Sequence, residues 1–166
     1  LLAAADARDF LIIEDDYDNE LRYHRSPIAS LFSLATSDQV MYLGTFTKVM
    51  FPGLRLAYLV VPDRLVDAMS IGNAELYREG RLVEQAALAE FIAEGYFASH
   101  IRKMRVIYAE RQQILRDILR RRLGDALTLS GGRAGIHLLY YFSDEVDDES
   151  VSQAALAQGI VTRPLS

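Results

Sequence analysis

Three strand-sized apolar runs constrain this chain more than any other feature: "FLIIED" (10–15), "VMYLGTF" (40–46) and "RLAYLVVP" (55–62). The first is near-continuous rather than alternating, which is the pattern of a buried strand in a parallel sheet. It then breaks into the polar "DYDNE". The other two are rich in strand formers and are bounded by Asp38 on one side and Pro62 on the other. None approaches the roughly 18–20 residues that a membrane-spanning helix needs.

Helical segments fill most of the remainder. "LLAAADARDF" reads as the end of a helix, and Asp63 is placed to cap another running to about residue 77. From Val83 to about Arg122 the pattern is helical, interrupted near Gly95. "ALTLS" and "GIHLLYYF" read as two strands separated by the turn "GGRAG". Asp147 or Asp148 then starts a helix toward Gln158, and "GIVTR" closes with a strand. The sum is an α/β region joined by a long helix to a smaller α+β lobe. The division falls near residue 95, giving parts 1–95 and 96–166. The opening has no initiator Met, basic n-region or cleavage site, so it is not read as a signal peptide. Both ends read as those of a piece of something longer.

Composition removes several function classes. There is no cysteine among the 166 residues, so neither a disulfide framework nor a thiolate metal site is available. His24, His100 and His137 lie far apart without ligand spacing, and no metal site is expected. Net charge is −5, yet Arg102, Lys103, Arg105, Arg111, Arg116, Arg120, Arg121 and Arg122 face only Glu110 and Asp117 in their segment. A nucleic-acid surface is one reading of that stretch. A solvated helix face is the better one, because Ile101, Met104, Tyr108, Leu115 and Leu119 fall on one side.

Two stretches carry chemistry. Asp15 and Tyr17 are two apart at the carboxyl end of the first strand, where ligands bind in open α/β sheets. The plainer reading makes Asp15, Asp16 and Asp18 turn formers and helix caps. In "LGTFTKVMFPGLRL" (43–56), Thr45 and Thr47 flank the approach to Lys48, and Arg55 follows a Pro-Gly turn. Two hydroxyls and a guanidinium suit a phosphate. A lysine with a lowered pKa suits an aldehyde, although a lone lysine after a strand is usually a surface cation. Pyridoxal phosphate would use both stretches. Thr45, Thr47 and Arg55 take its phosphate, Lys48 its aldehyde, Asp15 its ring nitrogen and Tyr17 its phenolic oxygen.

"IIEDDYDNELRYHRSPIASL", "VMYLGTFTKVMFPGLRLAYLVVP", "EQAALAEFIAEGYFASHIRKMRVIYAERQQIL" and "AGIHLL" with "GIVTRPLS" closely resemble the aminotransferase-like domain of MocR-type regulators in the GntR superfamily. The resemblance implies the fold-type I architecture of aspartate aminotransferase, with this chain as its C-terminal part. It makes Lys48 the internal-aldimine lysine, Asp15 the partner of the pyridine nitrogen and Tyr17 the phenolic-oxygen tyrosine. Thr45, Thr47 and Arg55 fall at phosphate-binding positions. Thr47 stands where Ser is more frequent, and Ala57 where Gly is usual. The arginine that grips a substrate carboxylate in this fold is expected at or beyond Ser166, and Arg163 is left unassigned.

What the resemblance implies for function is a cytoplasmic, homodimeric transcriptional regulator. This part would sense pyridoxal phosphate or a small amino compound, and DNA contact would belong to an N-terminal winged-helix domain outside this chain. The alternative is a genuine aminotransferase acting on an amino acid and a 2-oxo acid. A third reading, helices serving only dimerisation, ranks last because the cofactor residues are intact. "EDDYDNELRY" favours the regulator, since free-standing aminotransferases more often read Asp-Asp-Pro-Tyr there.

Overall fold

The computed structural model describes residues 1–22, 28–78, 80–130, 135–143 and 146–165. His24 and residues 131–134 of the "GGRAG" turn lie outside these. A first helix, α1 (Leu2–Arg8), ends where Asp9 turns into the left-handed region and leads into β1 (Ile12–Asp16). A short helix, α2 (Leu31–Leu34), precedes β2 (Val40–Thr45), and β3 (Ala57–Val60) completes a three-stranded sheet in the order β1-β2-β3. Helices α3 (Val66–Tyr77), α4 (Leu82–Ala93) and α5 (Tyr96–Leu123) follow. Strands β4 (Leu127–Ser130) and β5 (Leu139–Phe142) form a separate antiparallel pair, and α6 (Asp148–Ala157) comes after it.

The β1–β2 pair is parallel, in register from Ile12↔Val40 to Asp16↔Gly44. The β2–β3 pair is antiparallel, which the apolar run of β3 did not reveal. The cause is the short connection over 46–56. A parallel return needs a crossover of about a dozen or more residues, usually helical. Here the chain makes a turn closed by Met50 N–H on Phe46 O (2.9 Å), then a 3-10 turn at Pro52–Leu54, and comes straight back.

Burial also departs from expectation. β1 alternates between half-buried and exposed positions, and Ile13 is 63% exposed, so only one face of that strand is covered. All four residues of β3 are exposed. With α3 and α4, β3 borders an apolar groove of about 1000 Å³ that includes Tyr58, Met69, Leu76 and Leu88.

Among the described residues, two small cores hold the fold together. Leu21, Val49 and Ile101 form one, with Met50, Phe97, Met104, Tyr108 and Ile136 against them. Leu54, Leu56 and Leu88 form the other, with Phe46 and Met50 alongside. The apolar stripe of α5 is therefore buried in its first half, whereas Leu115 stays 45% exposed.

Local signals fare unevenly. Gly95, at φ 77, separates α4 from α5 where the pattern breaks. Asp147 caps α6 by accepting from Glu149 N–H and Ser150 N–H. The Ser150 hydroxyl, which also donates to Asp147, and then these amides hold its carboxyl below the usual carboxylate range. Asp63 starts a 3-10 turn and makes no side-chain cap, so α3 begins only at Val66. "GIVTR" is not a strand. Thr162 and Leu165 bond to side chains of α6, through Ser152 and Asp148, and no neighbouring strand is present among the described residues. Strand propensity without a ladder partner does not make a strand. Among the described residues no helix is long and apolar enough to cross a membrane.

Candidate functional site

The pleat of β1 sorts its three consecutive carboxylates. Successive side chains point to opposite faces, so Glu14 and Asp16 share one face and Asp15 takes the other. Glu14 accepts from Leu31 N–H (2.9 Å) and Phe32 N–H (3.0 Å), pinning the start of α2. Asp16 accepts from Tyr42 O–H (2.9 Å) and from Asn19 N–H (3.2 Å). The cap-and-turn reading thus holds for Asp16 and, in effect, for Glu14. It does not hold for Asp15, which is exposed and has no hydrogen-bond or ion-pair partner among the described residues.

The parallel register places Asp15 beside Leu43. Thr45, two residues on, lies on the same face of the sheet as Asp15 and at the same end of it. One register step beyond Asp16↔Gly44 come Tyr17 and Thr45. Extended geometry stops at Asp16, however, so Tyr17 sits past the strand. Its ring meets the ring of His137 edge-on, with centroids 6.2 Å apart and planes at 75°.

After β2 the chain turns sharply, and Lys48 occupies the middle of that turn with its side chain exposed. Thr45 Oγ1 donates to Leu56 O (3.2 Å) and accepts from Thr47 N–H (3.1 Å). A hydroxyl has one proton to donate. That of Thr45 is spent on closing the base of the 46–56 loop, whereas the Thr47 hydroxyl has no such partner among the described residues. On the far side of Lys48, Val49 is 2% exposed in the core, and its carbonyl accepts from His100 Nε2 (2.9 Å). Arg55 follows the 3-10 turn with φ 48 and an exposed side chain. Arg81, just before α4, holds that turn by donating to Leu54 O (2.8 Å) and Gly53 O (3.4 Å), with Glu84 at 3.4 Å.

Three groups that sequence reasoning missed support this arrangement. His100 and Arg81 fix the two sides of the 46–56 loop. The third is the ring cluster behind β2. Tyr42 and Tyr58 lie 6.1 Å apart, Tyr58 and Phe46 5.4 Å, and Phe46 and Phe97 5.7 Å. Burial, then the bond to Asp16, pushes the Tyr42 hydroxyl far above the ordinary tyrosine range, and burial raises Tyr58 too. Burial likewise raises Glu20, whose carbonyl accepts from Arg105 Nε of α5. The one available signal for His100 was its place beside Ile101, on the stripe that runs through Phe97 and Met104. A lone histidine with no ligand spacing gives no other.

The family model described as aminotransferase class I and II matches residues 1–166. The chain belongs to that family. It is 43% identical over 168 residues to the probable rhizopine catabolism regulatory protein MocR of Rhizobium meliloti, covering all of this chain and 34% of that protein. It is 34% identical over 164 residues to the HTH-type transcriptional regulator TauR of Rhodobacter capsulatus, covering 99% of this chain and 34% of that protein. The chain therefore spans about a third of the length of the curated relatives it matches. Among solved structures it superposes on the kynurenine aminotransferase of Pyrococcus horikoshii with a TM-score of 0.89 at 25% identity. That match covers 98% of this chain and 40% of that one. The aminotransferase fold of type I expected from sequence is the fold observed.

Proposed function

We propose that this aminotransferase-family chain is the pyridoxal-phosphate-binding effector part of a GntR/MocR-type transcriptional regulator. The observation that carries the cofactor reading is the sorting of side chains at one end of the sheet. Glu14, Asp16, Thr45, Arg81 and His100 are all engaged in holding backbone or neighbouring side chains. Asp15, Lys48 and Arg55 stand exposed and unpartnered among the described residues. An acid at the end of β1, with an amine and a guanidinium on a loop that His100 and Arg81 fix, all unengaged among the described residues, are groups kept for a ligand. Their chemistry fits pyridoxal phosphate.

When bound, the cofactor supplies an aldehyde for an amine and a ring nitrogen whose protonated form withdraws electrons. In this proposal Lys48 tethers it, Asp15 holds the ring-nitrogen proton and Tyr17 bonds the phenolic oxygen, with His137 fixing the tyrosine ring. Arg55 and Thr47 grip the phosphate. Thr45 joins them only by turning its hydroxyl away from Leu56 O, so its first duty is to the loop. Residues 1–95 carry the groups that hold the cofactor, and 96–166, which bring His137, form the connecting helix and the start of a smaller lobe.

The regulator reading draws on MocR and TauR. It places DNA recognition in a winged-helix domain elsewhere in the protein, homodimerisation in the whole assembly, and a small amino compound or the cofactor itself as effector in a cytoplasmic protein. The alternative, a working aminotransferase, is favoured by the likeness to the Pyrococcus horikoshii enzyme and by the intact Asp15 and Lys48. The test begins with the full-length protein loaded with pyridoxal phosphate, reduced with borohydride and mapped by peptide mass. The pyridoxyl group should sit on Lys48, and a tightly bound cofactor attached elsewhere would overturn the assignment. Titration with amino acids and 2-oxo acids then separates the two readings. Turnover at enzymatic rates means the aminotransferase, and effector-dependent DNA binding without turnover means the regulator.

A further inference from the structure

The Lys48 turn is held from both sides along its backbone. Thr45 Oγ1 accepts from the amide just before Lys48, at Thr47. The carbonyl just after Lys48, at Val49, accepts from His100 Nε2 at 2.9 Å. A carbonyl oxygen can only accept, so Nε2 must carry the proton. The bond starts on α5, more than fifty positions further along the chain. It is half-buried, and the Val49 side chain beside it packs into the core on Leu21 and Ile101. Thr45 and the Met50–Phe46 bond close the turn locally; the His100 bond and the Val49 packing tie its far side to the rest of the fold and so set the direction of its apex.

We propose that His100 is a positioning residue for Lys48: its Nε2–H fixes the Val49 carbonyl and thereby the orientation of the lysine that takes the cofactor. The inference rests on the cofactor reading above for its consequence but not for its geometry. Arg105, a little over one helical turn further on, donates to Glu20 O in the loop that follows Tyr17. The first half of α5 therefore holds the loops after both β1 and β2. Of the two, His100 is the contact on the turn that carries the amine. Losing it leaves Lys48 on a turn closed only by local bonds, among them Met50 N–H on Phe46 O, which then opens more often and no longer has a single orientation.

The experiment uses the full-length protein with His100→Phe, which keeps ring volume and removes the donor, and His100→Gln, whose amide nitrogen can replace Nε2. Hydrogen exchange is read first, without cofactor. His100→Phe should speed exchange of the Met50 amide about ten-fold, the scale of one lost hydrogen bond, while the amides of β2 keep their protection. His100→Gln should restore most of it. With pyridoxal phosphate added, His100→Phe should bind about ten-fold more weakly and His100→Gln close to wild type. Unchanged Met50 exchange in His100→Phe, or equal loss in both variants, would overturn the proposal, because the donor would then not matter. If His100→Phe does not fold, His100→Asn, whose amide falls short of Val49 O, takes its place under the same criteria. If the wild type carries no cofactor on Lys48, the functional reading fails, while the exchange comparison still decides the role of His100.

Discussion

Gly44 sits one residue before Thr45, and the ring of Tyr58 occupies the space where its side chain would be. A Cβ built at Gly44 would lie 2.3 Å from Tyr58 Cζ, 2.5 Å from Oη and 2.6 Å from Cε1. Gly44→Ala sets two effects against each other. Its φ is not in the left-handed region, so removing a glycine from a strand should by itself stabilise by about 0.5–1 kcal/mol. The clash works the other way. Real contacts fall near 3.5–4.0 Å, so the ring must retreat by more than 1 Å. It cannot do so freely, being packed between Tyr42 and Phe46. Overpacking of this kind costs about 1–3 kcal/mol, and the disturbed ring pairs add about 0.5–1.5 kcal/mol. The clash wins, with a net loss of roughly 0.5–4 kcal/mol. Urea unfolding of the full-length protein, followed by circular dichroism, should show a lower midpoint at unchanged slope. In a Tyr58→Val background all three offending atoms are gone, and Gly44→Ala should become neutral or slightly stabilising. The same cost in both backgrounds would show that Tyr58 is not the obstacle, and the account of β2 packing would fall.

Two further outcomes follow from the site. Asp15→Asn should leave folding intact, since the carboxylate bonds to nothing in the described chain, and should weaken pyridoxal phosphate binding about ten- to a hundred-fold, the worth of one charge-assisted hydrogen bond. Equal affinity in equilibrium titration would remove Asp15 from the site. Tyr42 is held neutral by burial and by the Asp16 carboxylate, above the ordinary tyrosine value of 10.0. A group with a raised folded pKa contributes stability that is complete below the unfolded value and lost as pH rises toward the folded one. Stability should therefore decline above about pH 10, and Tyr42→Phe should flatten that alkaline decline when melting temperature is followed against pH.

The parts legible in sequence are those decided by neighbours in the chain. Gly95 breaks the helix where a glycine supplies a left-handed turn, Asp147 caps because the amides that donate to it are two and three residues away, and the apolar runs become β1, β2 and β3. Asp15 was picked out by its place at a strand end, and the pleat explains why it differs from Glu14 and Asp16 on either side. What was not legible depends on distant partners. The direction of β3 depends on how 46–56 folds, and "GIVTR" would have needed a neighbouring strand. The bond from the Thr45 hydroxyl to Leu56 O reaches eleven residues along the chain, so nothing beside Thr45 in the sequence announces it. His100 and Arg81 act on backbone carbonyls, which look alike at every position of a sequence. No pattern of residue types could announce them.

Helix α5 runs unbroken from Tyr96 to Leu123. Its first turns are fixed to the loops of Tyr17 and Lys48, while its far end carries β4 and β5. From Ile101 to Leu123 the rise is about 33 Å at 1.5 Å per residue. Over such an arm a tilt of about 5° moves the tip by about 3 Å, while the His100 contact near the pivot moves by only a small fraction of that. The geometry works as reduction gearing: large travel at the distal strands arrives at the lysine turn as a displacement of tenths of an ångström. Hydrogen bonds lengthen without breaking over that range, so motion carried along α5 would reach the lysine turn graded in strength rather than switched, while the segment before β5 keeps its own tie to the Tyr17 loop through Gly135 N–H on Leu21 O.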